Sequence, residues 1–273
     1  MEKLIFVVFF SLIIFSGCGN QTNESADDMA DFVEDQAFKD AHDEPRAATV
    51  SGEGTQISIP VADGPAASGY ALMADSTSQK YLLVIHEWWG LNDNIKEEVE
   101  RLFKALDNTH VIALDMYDGK VASDPDQAGA LMQAVKEERA QAIVQGAIAM
   151  AGSDANIATI GWCFGGGWSL KTSIMAGAQG VACVMYYGMP LQKADELAPL
   201  EAPILGIFAE QDGWITPEVA DNFENLAKAT GKAIEVHQFD AAHAFANPSS
   251  QAYNEEAAQK ANALALNFLK EKL

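Results

Sequence analysis

The chain has 273 residues, 49% of them hydrophobic and 21% charged, a globular composition long enough for one large domain or two small ones. Its formal net charge of −22 repels phosphate backbones and argues against nucleic acid as a partner. Three cysteines, Cys18, Cys163 and Cys183, stand at no metal-type spacing and do not make a disulfide framework, so each needs its own explanation.

Residues 1–17 read as a secretory signal, with Lys3 as a basic start and an apolar run over 4–15 broken only by Ser11. That run is shorter than the roughly 20 residues of a transmembrane helix. It ends in Phe15-Ser16-Gly17-Cys18, which resembles the lipobox of bacterial lipoproteins, although Phe15 stands where leucine is usual. The resemblance implies lipidation at Cys18 and an exported protein tethered to a membrane. An ordinary cleaved signal with an incidental cysteine is the alternative, giving a secreted soluble protein. Residues 19–48 carry nine acidic and two basic side chains and read as a solvated acidic tether, with a short amphipathic helix over 29–38 as the other reading. The segment 18–48 is therefore set apart from a body at 49–273.

The body alternates strand-like and helix-like runs. Strands are expected at 55–60 and 68–74, joined by the turn-rich Ala62-Asp63-Gly64-Pro65. The run YLLVIH at 81–86 is continuously apolar, as in a strand covered on both faces. A helix follows at 92–106, with Ile95, Val99, Leu102, Phe103 and Leu106 on one face. Next come a strand at 110–114, a polar loop at 115–125, one long helix at 126–151 and a strand at 158–161. The remainder reads as a helix at 163–176, strands at 181–187 and 204–209, a helix at 217–230 closed by Gly231, a strand at 233–239 and a last helix at 250–272. This alternation predicts an α/β fold, a mostly parallel sheet of seven or eight strands with helices on both faces.

In such sheets, function lies beyond the carboxyl ends of the strands. Gly161-Trp162-Cys163-Phe164-Gly165 follows a strand and opens a helix, the setting of a nucleophile elbow with cysteine in place of serine. Glycines two residues to either side keep strand and helix from colliding at the bend. A phosphate-binding reading of Gly165-Gly166-Gly167 lacks the Lys-Ser/Thr pair and the G-x-G-x-x-G pattern it needs. Cys183, inside VACVMYY, reads as an inert core thiol.

A thiol nucleophile needs a base, and the base needs an orienting carboxylate. Asp212 follows the strand ILGIFA and His243 follows AIEVHQF, which gives the order nucleophile, acid, histidine of α/β-hydrolases. Asp240 is a competing acid. Among the other histidines, His42 falls in the tether, His110 begins a strand and His237 lies within one. His86-Glu87-Trp88-Trp89-Gly90 ends the first buried strand; Glu87 would be a charged neighbour of the thiol, and the backbone N–H groups of Trp88 and Phe164 would receive an oxyanion. No second histidine stands at the spacing a zinc protease motif requires.

HEWWGLNDNIK, GWCFGGGWS, AEQDGWITPE and AAHAFANP resemble the four signature blocks of the dienelactone hydrolase family, and the match spans most of 50–273. The resemblance implies an α/β-hydrolase without a cofactor that cleaves a small ester or lactone through an acyl-enzyme. It implies Cys163 as nucleophile, His243 as base, Asp212 as its orienter and Glu87 as partner of the thiol. Two substrate-binding arginines of the lactonase have no counterpart: one position is Asn247, and residues 115–136 contain no arginine. An apolar or neutral substrate is therefore expected, bound by Asn247 and by tryptophans near the mouth, Trp89, Trp162 and Trp214, with Trp88 and Trp168 close by. A thioesterase or envelope acyl esterase on the same chemistry, and a non-catalytic surface binding protein, are the competing readings.

Overall fold

A computed structural model describes residues 28–42, 44–46, 50 and 52–273. The expected signal segment 1–17 and Cys18 lie outside the described residues. None of the described helices is long and apolar enough to cross a membrane.

In chain order the elements are α1 (Gln36–Asp40), β1 (Thr55–Ile59), β2 (Ala67–Leu72), β3 (Lys80–Ile85), α2 (Asp93–Ala105), β4 (His110–Leu114), α3 (Pro125–Ala134), α4 (Glu137–Ala151), β5 (Asn156–Trp162), α5 (Phe164–Ala176), β6 (Gly180–Tyr186), α6 (Ala194–Leu197), β7 (Ile204–Ala209), α7 (Pro217–Ala229), β8 (Ile234–Phe239) and α8 (Glu255–Lys272). Eight strands form one sheet in the order β1-β2-β4-β3-β5-β6-β7-β8. β1 and β2 form an antiparallel hairpin, β2 meets β4 antiparallel, and every other pairing is parallel. Central strands carry almost unbroken apolar runs because helices cover both faces, and β4 and β7 are buried at every residue.

The topology creates the crevice that matters. From β3 the chain moves to one side to make β4, then returns across β3 to make β5 on the other. Loops leaving the carboxyl ends of β3 and β5 therefore diverge, and a cleft opens between them. The register Ile85↔Gly161 and Gly161↔Met185 brings these strand ends level, so Glu87 and Cys163 emerge side by side.

Local chemistry explains the helices. Asn92 caps α2 by accepting from the Ile95 N–H at 3.2 Å, and Ile95, Val99 and Leu102 are buried. Thr216 caps α7, with Pro217 at its first turn. The single helix expected over 126–151 is two: Val135 and Lys136 leave helical geometry, and Glu137 and Glu138 start α4, where acidic side chains favour a helix N-terminus. The closing helix begins at Glu255 rather than 250, capped by Asn254.

The largest departure from the sequence reading lies before the body. Residues 28–42, read as solvated tether, form a 3-10 turn (Asp28–Phe32) and α1 that pack onto it. Met29, Val33, Phe38 and His42 are buried. Val33 rests where Gly129 of α3 leaves room, a Cβ there standing 3.2 Å from that of Val33. Lys39 pairs with Asp126 at 2.7 Å, and Asp35 accepts from the Trp214 indole N–H at 3.1 Å. A few apolar residues spaced along an acidic stretch were enough to dock it, which average composition hides.

At the bend after β5, a Cβ on Gly161 would fall 2.0 Å from the Gly165 carbonyl oxygen, and one on Gly165 would fall 2.3 Å from that of Ile85. Both obstacles are backbone, which cannot rotate aside. Gly161→Ala is expected to cost more than about 2 kcal/mol, read as a lowered denaturant midpoint at unchanged m-value; a midpoint equal to the parent's would show that the bend tolerates a side chain.

Candidate active site

Cys163 caps α5 with φ 55° and ψ −122°, a region that L-residues rarely adopt. The conformation turns the chain sharply enough to lift the side chain above the strand ends. Tyr187 (φ 33°) and Ala244 (φ 61°) share the left-handed half of backbone space, so three of the five such non-glycine residues among those described ring one spot. Such strain is held by surrounding structure and gathers where geometry is needed.

His243 follows β8 and Asp212 follows β7. The imidazole Nδ1 donates to Asp212 Oδ2 at 2.5 Å, and Asp212 Oδ1 accepts from the N–H groups of Trp214 at 2.9 Å and Ile215 at 3.0 Å. Both carboxylate oxygens are thus fixed, and the imidazole has one orientation, with Nε2 turned away from Asp212. One ring nitrogen of His243 and the Cys163 sulfur lie within 4.8 Å of each other, and the Phe164 backbone N–H also faces the sulfur. Asp240, the competing acid, instead accepts from Gln211 at the surface.

Electrostatics separates these groups. Burial works against charge on His243, but the adjoining Asp212 carboxylate overrides it and holds the imidazole well above its usual range. Burial would likewise raise Asp212, yet His243 and the two backbone donors hold it below the ordinary value. Burial pushes the Cys163 thiol up, opposed by His243 and reinforced by Glu87. Burial also raises Glu87 to about 7, against the pull of His243 and a hydrogen bond from Asn247. These directions favour the neutral thiol on Cys163 and the charged forms of His243 and Asp212, while Glu87 opposite is the carboxyl that burial makes easiest to protonate.

Glu87 and Cys163 line one small cavity of about 10 Å³, together with His42, Trp88 and Asn247. Asn247, standing at the expected arginine position, donates from Nδ2 to Glu87 Oε2 while its Oδ1 accepts from the Ser249 N–H and hydroxyl. His86 acts at the strand end: Nδ1 donates to the Glu87 carbonyl at 2.6 Å and Nε2 accepts from the Met116 N–H at 3.1 Å.

A larger cavity of about 230 Å³ adjoins Glu87 and Asn247 and is lined by Trp162, Ile95, Pro248 and Arg101. Trp162 therefore borders an open pocket. Trp89 and Trp88 are buried, Trp88 packing its ring against Phe38 at 5.3 Å. Trp214 meets Phe38 edge-on at 5.1 Å and is roofed by the N-terminal segment. Trp168, expected near the mouth, is wholly buried in the core beneath α5, because the helix turns its position away from the bend.

Sequence reasoning missed three participants. Arg101 reaches the pocket from α2, a helix that bears no motif, and Glu98 binds it through Nε and Nη2 at 2.7 and 2.5 Å. Phe38 and His42 come from the segment set aside as tether. Phe38 is wholly buried, 6.4 Å between ring centroids from His243, and His42 lies 4.9 Å away. Aromatic residues inside an acidic spacer were the signal available.

A mostly parallel sheet with cysteine, aspartate and histidine in that order beyond its strand ends defines an α/β-hydrolase. The chain belongs to the dienelactone hydrolase family, whose model matches residues 68–273, and is a carboxylic-ester hydrolase. It is 30% identical to protein usf of Aquifex pyrophilus over 205 residues, covering 70% of this chain and 88% of that protein. It is 36% identical to a carboxymethylenebutenolidase of a Pseudomonas species over 118 residues, 43% of this chain and 48% of the relative. Among solved structures, a dienelactone hydrolase-like promiscuous phosphotriesterase from metagenomic libraries shares the fold with a TM-score of 0.68 at 23% identity, over 81% of this chain and 99% of that one.

Two consequences can be measured. Phe38→Ala removes about 3 kcal/mol of packing from the roof, so Cys163 should be alkylated by iodoacetamide faster than in the parent; an unchanged rate would mean the segment does not cover the thiol. Burial raises Glu87 to about 7 in the folded protein from the 4.5 of an ordinary glutamate, so the folded state binds the extra proton and loses stability as pH rises through that window. Glu87→Gln should therefore be more stable than the parent at pH 8, by up to about 3 kcal/mol, with the gain vanishing below pH 4. Equal denaturation midpoints at pH 8 would contradict the raised value.

Proposed function

We propose that this enzyme hydrolyses small neutral esters or lactones through a Cys163 thioester, with His243 and Asp212 completing the triad. The observation carrying this reading is the burial of sulfur, imidazole and carboxylate in one chain of contacts at the strand ends. A substrate binding beside Glu87 displaces its neighbours, and the glutamate takes the thiol proton. The thiolate attacks the carbonyl carbon, and the backbone N–H groups of Phe164 and Trp88 receive the negative oxygen. As the C–O bond breaks, the His243 imidazolium gives its proton to the departing alkoxide, with Asp212 holding the ring. The neutral imidazole then takes a proton from water, whose hydroxide adds to the thioester. Collapse expels the thiolate, which recovers its proton from Glu87, and the acid leaves.

The preference for neutral substrates rests on charge. Asn247 replaces one binding arginine, and the guanidinium nearest the pocket, Arg101, is already bound by Glu98 among Glu87 and Glu97. A pocket of about 230 Å³ with Trp162 and Ile95 in its wall suits a compact apolar acyl or alcohol group. Cys163→Ala should lower hydrolysis of a short-chain chromogenic ester by at least about a thousandfold while leaving the unfolding midpoint within normal range. Retained turnover in that variant would refute the thioester route.

A further inference from the structure

We propose that His42, Cys163 and His243 form a binding site for a thiophilic divalent cation, Zn²⁺, and that its occupation switches the hydrolase off. The three residues come from the N-terminal segment, the bend after β5 and the loop after β8, and a ligand atom of each lies within 4.8 Å of the others. All three side chains are buried. Reading the cysteine spacing could not reveal the site, because only one of its ligands is a cysteine.

The hydrogen bonds around the two histidines support it independently. His243 Nδ1 donates to Asp212, and His42 Nδ1 donates to the Phe38 carbonyl at 2.6 Å. In each ring the remaining atom, Nε2, is buried and has no hydrogen-bond partner. Zinc-bound histidines have this arrangement: the outer nitrogen donates to a carboxylate or carbonyl, which fixes the tautomer and leaves the inner lone pair for the metal. Two imidazoles and a thiolate suit zinc and reject magnesium or calcium, which prefer oxygen. The adjoining cavity of about 10 Å³ has room for one water as fourth ligand.

Binding is an acid–base exchange without electron transfer. The thiol proton passes to solvent as the S–Zn bond forms, and His243 coordinates as the neutral ring after releasing its own proton. The sulfur lone pair that would attack a carbonyl and the nitrogen that would protonate an alkoxide are then both committed to the metal. A chelator reverses the change.

Zinc chloride titrated into the full chain by calorimetry should bind one equivalent, and Co²⁺ in its place should give a thiolate-to-metal charge-transfer band. Losing an outer partner costs metal affinity about 10- to 100-fold, so losing a direct ligand sets a floor of roughly tenfold. His42→Ala and Cys163→Ala should each weaken zinc binding by at least that factor, and Cys163→Ala should abolish the cobalt band. The cobalt band of the parent needs no variant to fold. Its absence, equal zinc affinity in either variant, or displacement of zinc by Mg²⁺ at comparable concentration would overturn the proposal. Because calorimetry reads binding directly, these outcomes stand whether or not the protein hydrolyses the esters offered.

Discussion

The backbone of Gly161 and that of Gly165 lie so close that no side chain fits between them, and the rest of the site follows from that contact. Closing β5 onto α5 within a single residue forces Cys163 into the left-handed region and raises its sulfur above the sheet. A looser turn would have relieved the strain but left the thiol in the layer of core side chains, where Cys183 sits. The cost of about 1–3 kcal/mol for such a backbone is carried by the parallel pairing of β3, β5 and β6 around it.

Charge is then distributed by burial. Four titratable groups, Cys163, His243, Asp212 and Glu87, are buried together, and each takes the protonation its neighbours favour. Asp212 keeps its charge because two backbone N–H groups and an imidazolium surround it, whereas Glu87 faces an amide and a thiol and gives up part of its own. Two carboxyls of the same chemistry thereby diverge, one fixed and one poised to exchange a proton near neutrality.

How much of this was legible in the sequence depends on the range over which each feature is determined. Cys163 could be read because its glycines are neighbours in the chain and the steric reason is local. The central strands could be read because burial on both faces writes continuous apolar runs, as at 81–86. Asp212 and His243 could be located only through their order and their places after strands, since nothing nearby in sequence marks them. Arg101 was invisible: its helix is an ordinary amphipathic one, and only the return of the chain across β3 brings it beside Glu87. The segment 28–42 reads as solvated because residues 19–48 carry nine acids in thirty, while its docking rests on scattered side chains, the buried Met29, Val33, Phe38 and His42 with Lys39 and Asp35 pairing outside them. Where the helix over 126–151 breaks, propensity alone could not place the interruption at Val135, which answers to packing against neighbouring elements.

The roof over the thiol is part of the same polypeptide as the floor. Its contact with the floor is therefore intramolecular, with an effective concentration set by the chain joining His42 to β1 and not by the amount of protein present. Dilution cannot remove it. What holds the roof in place is a few aromatic contacts and one lysine–aspartate pair, all within the one molecule.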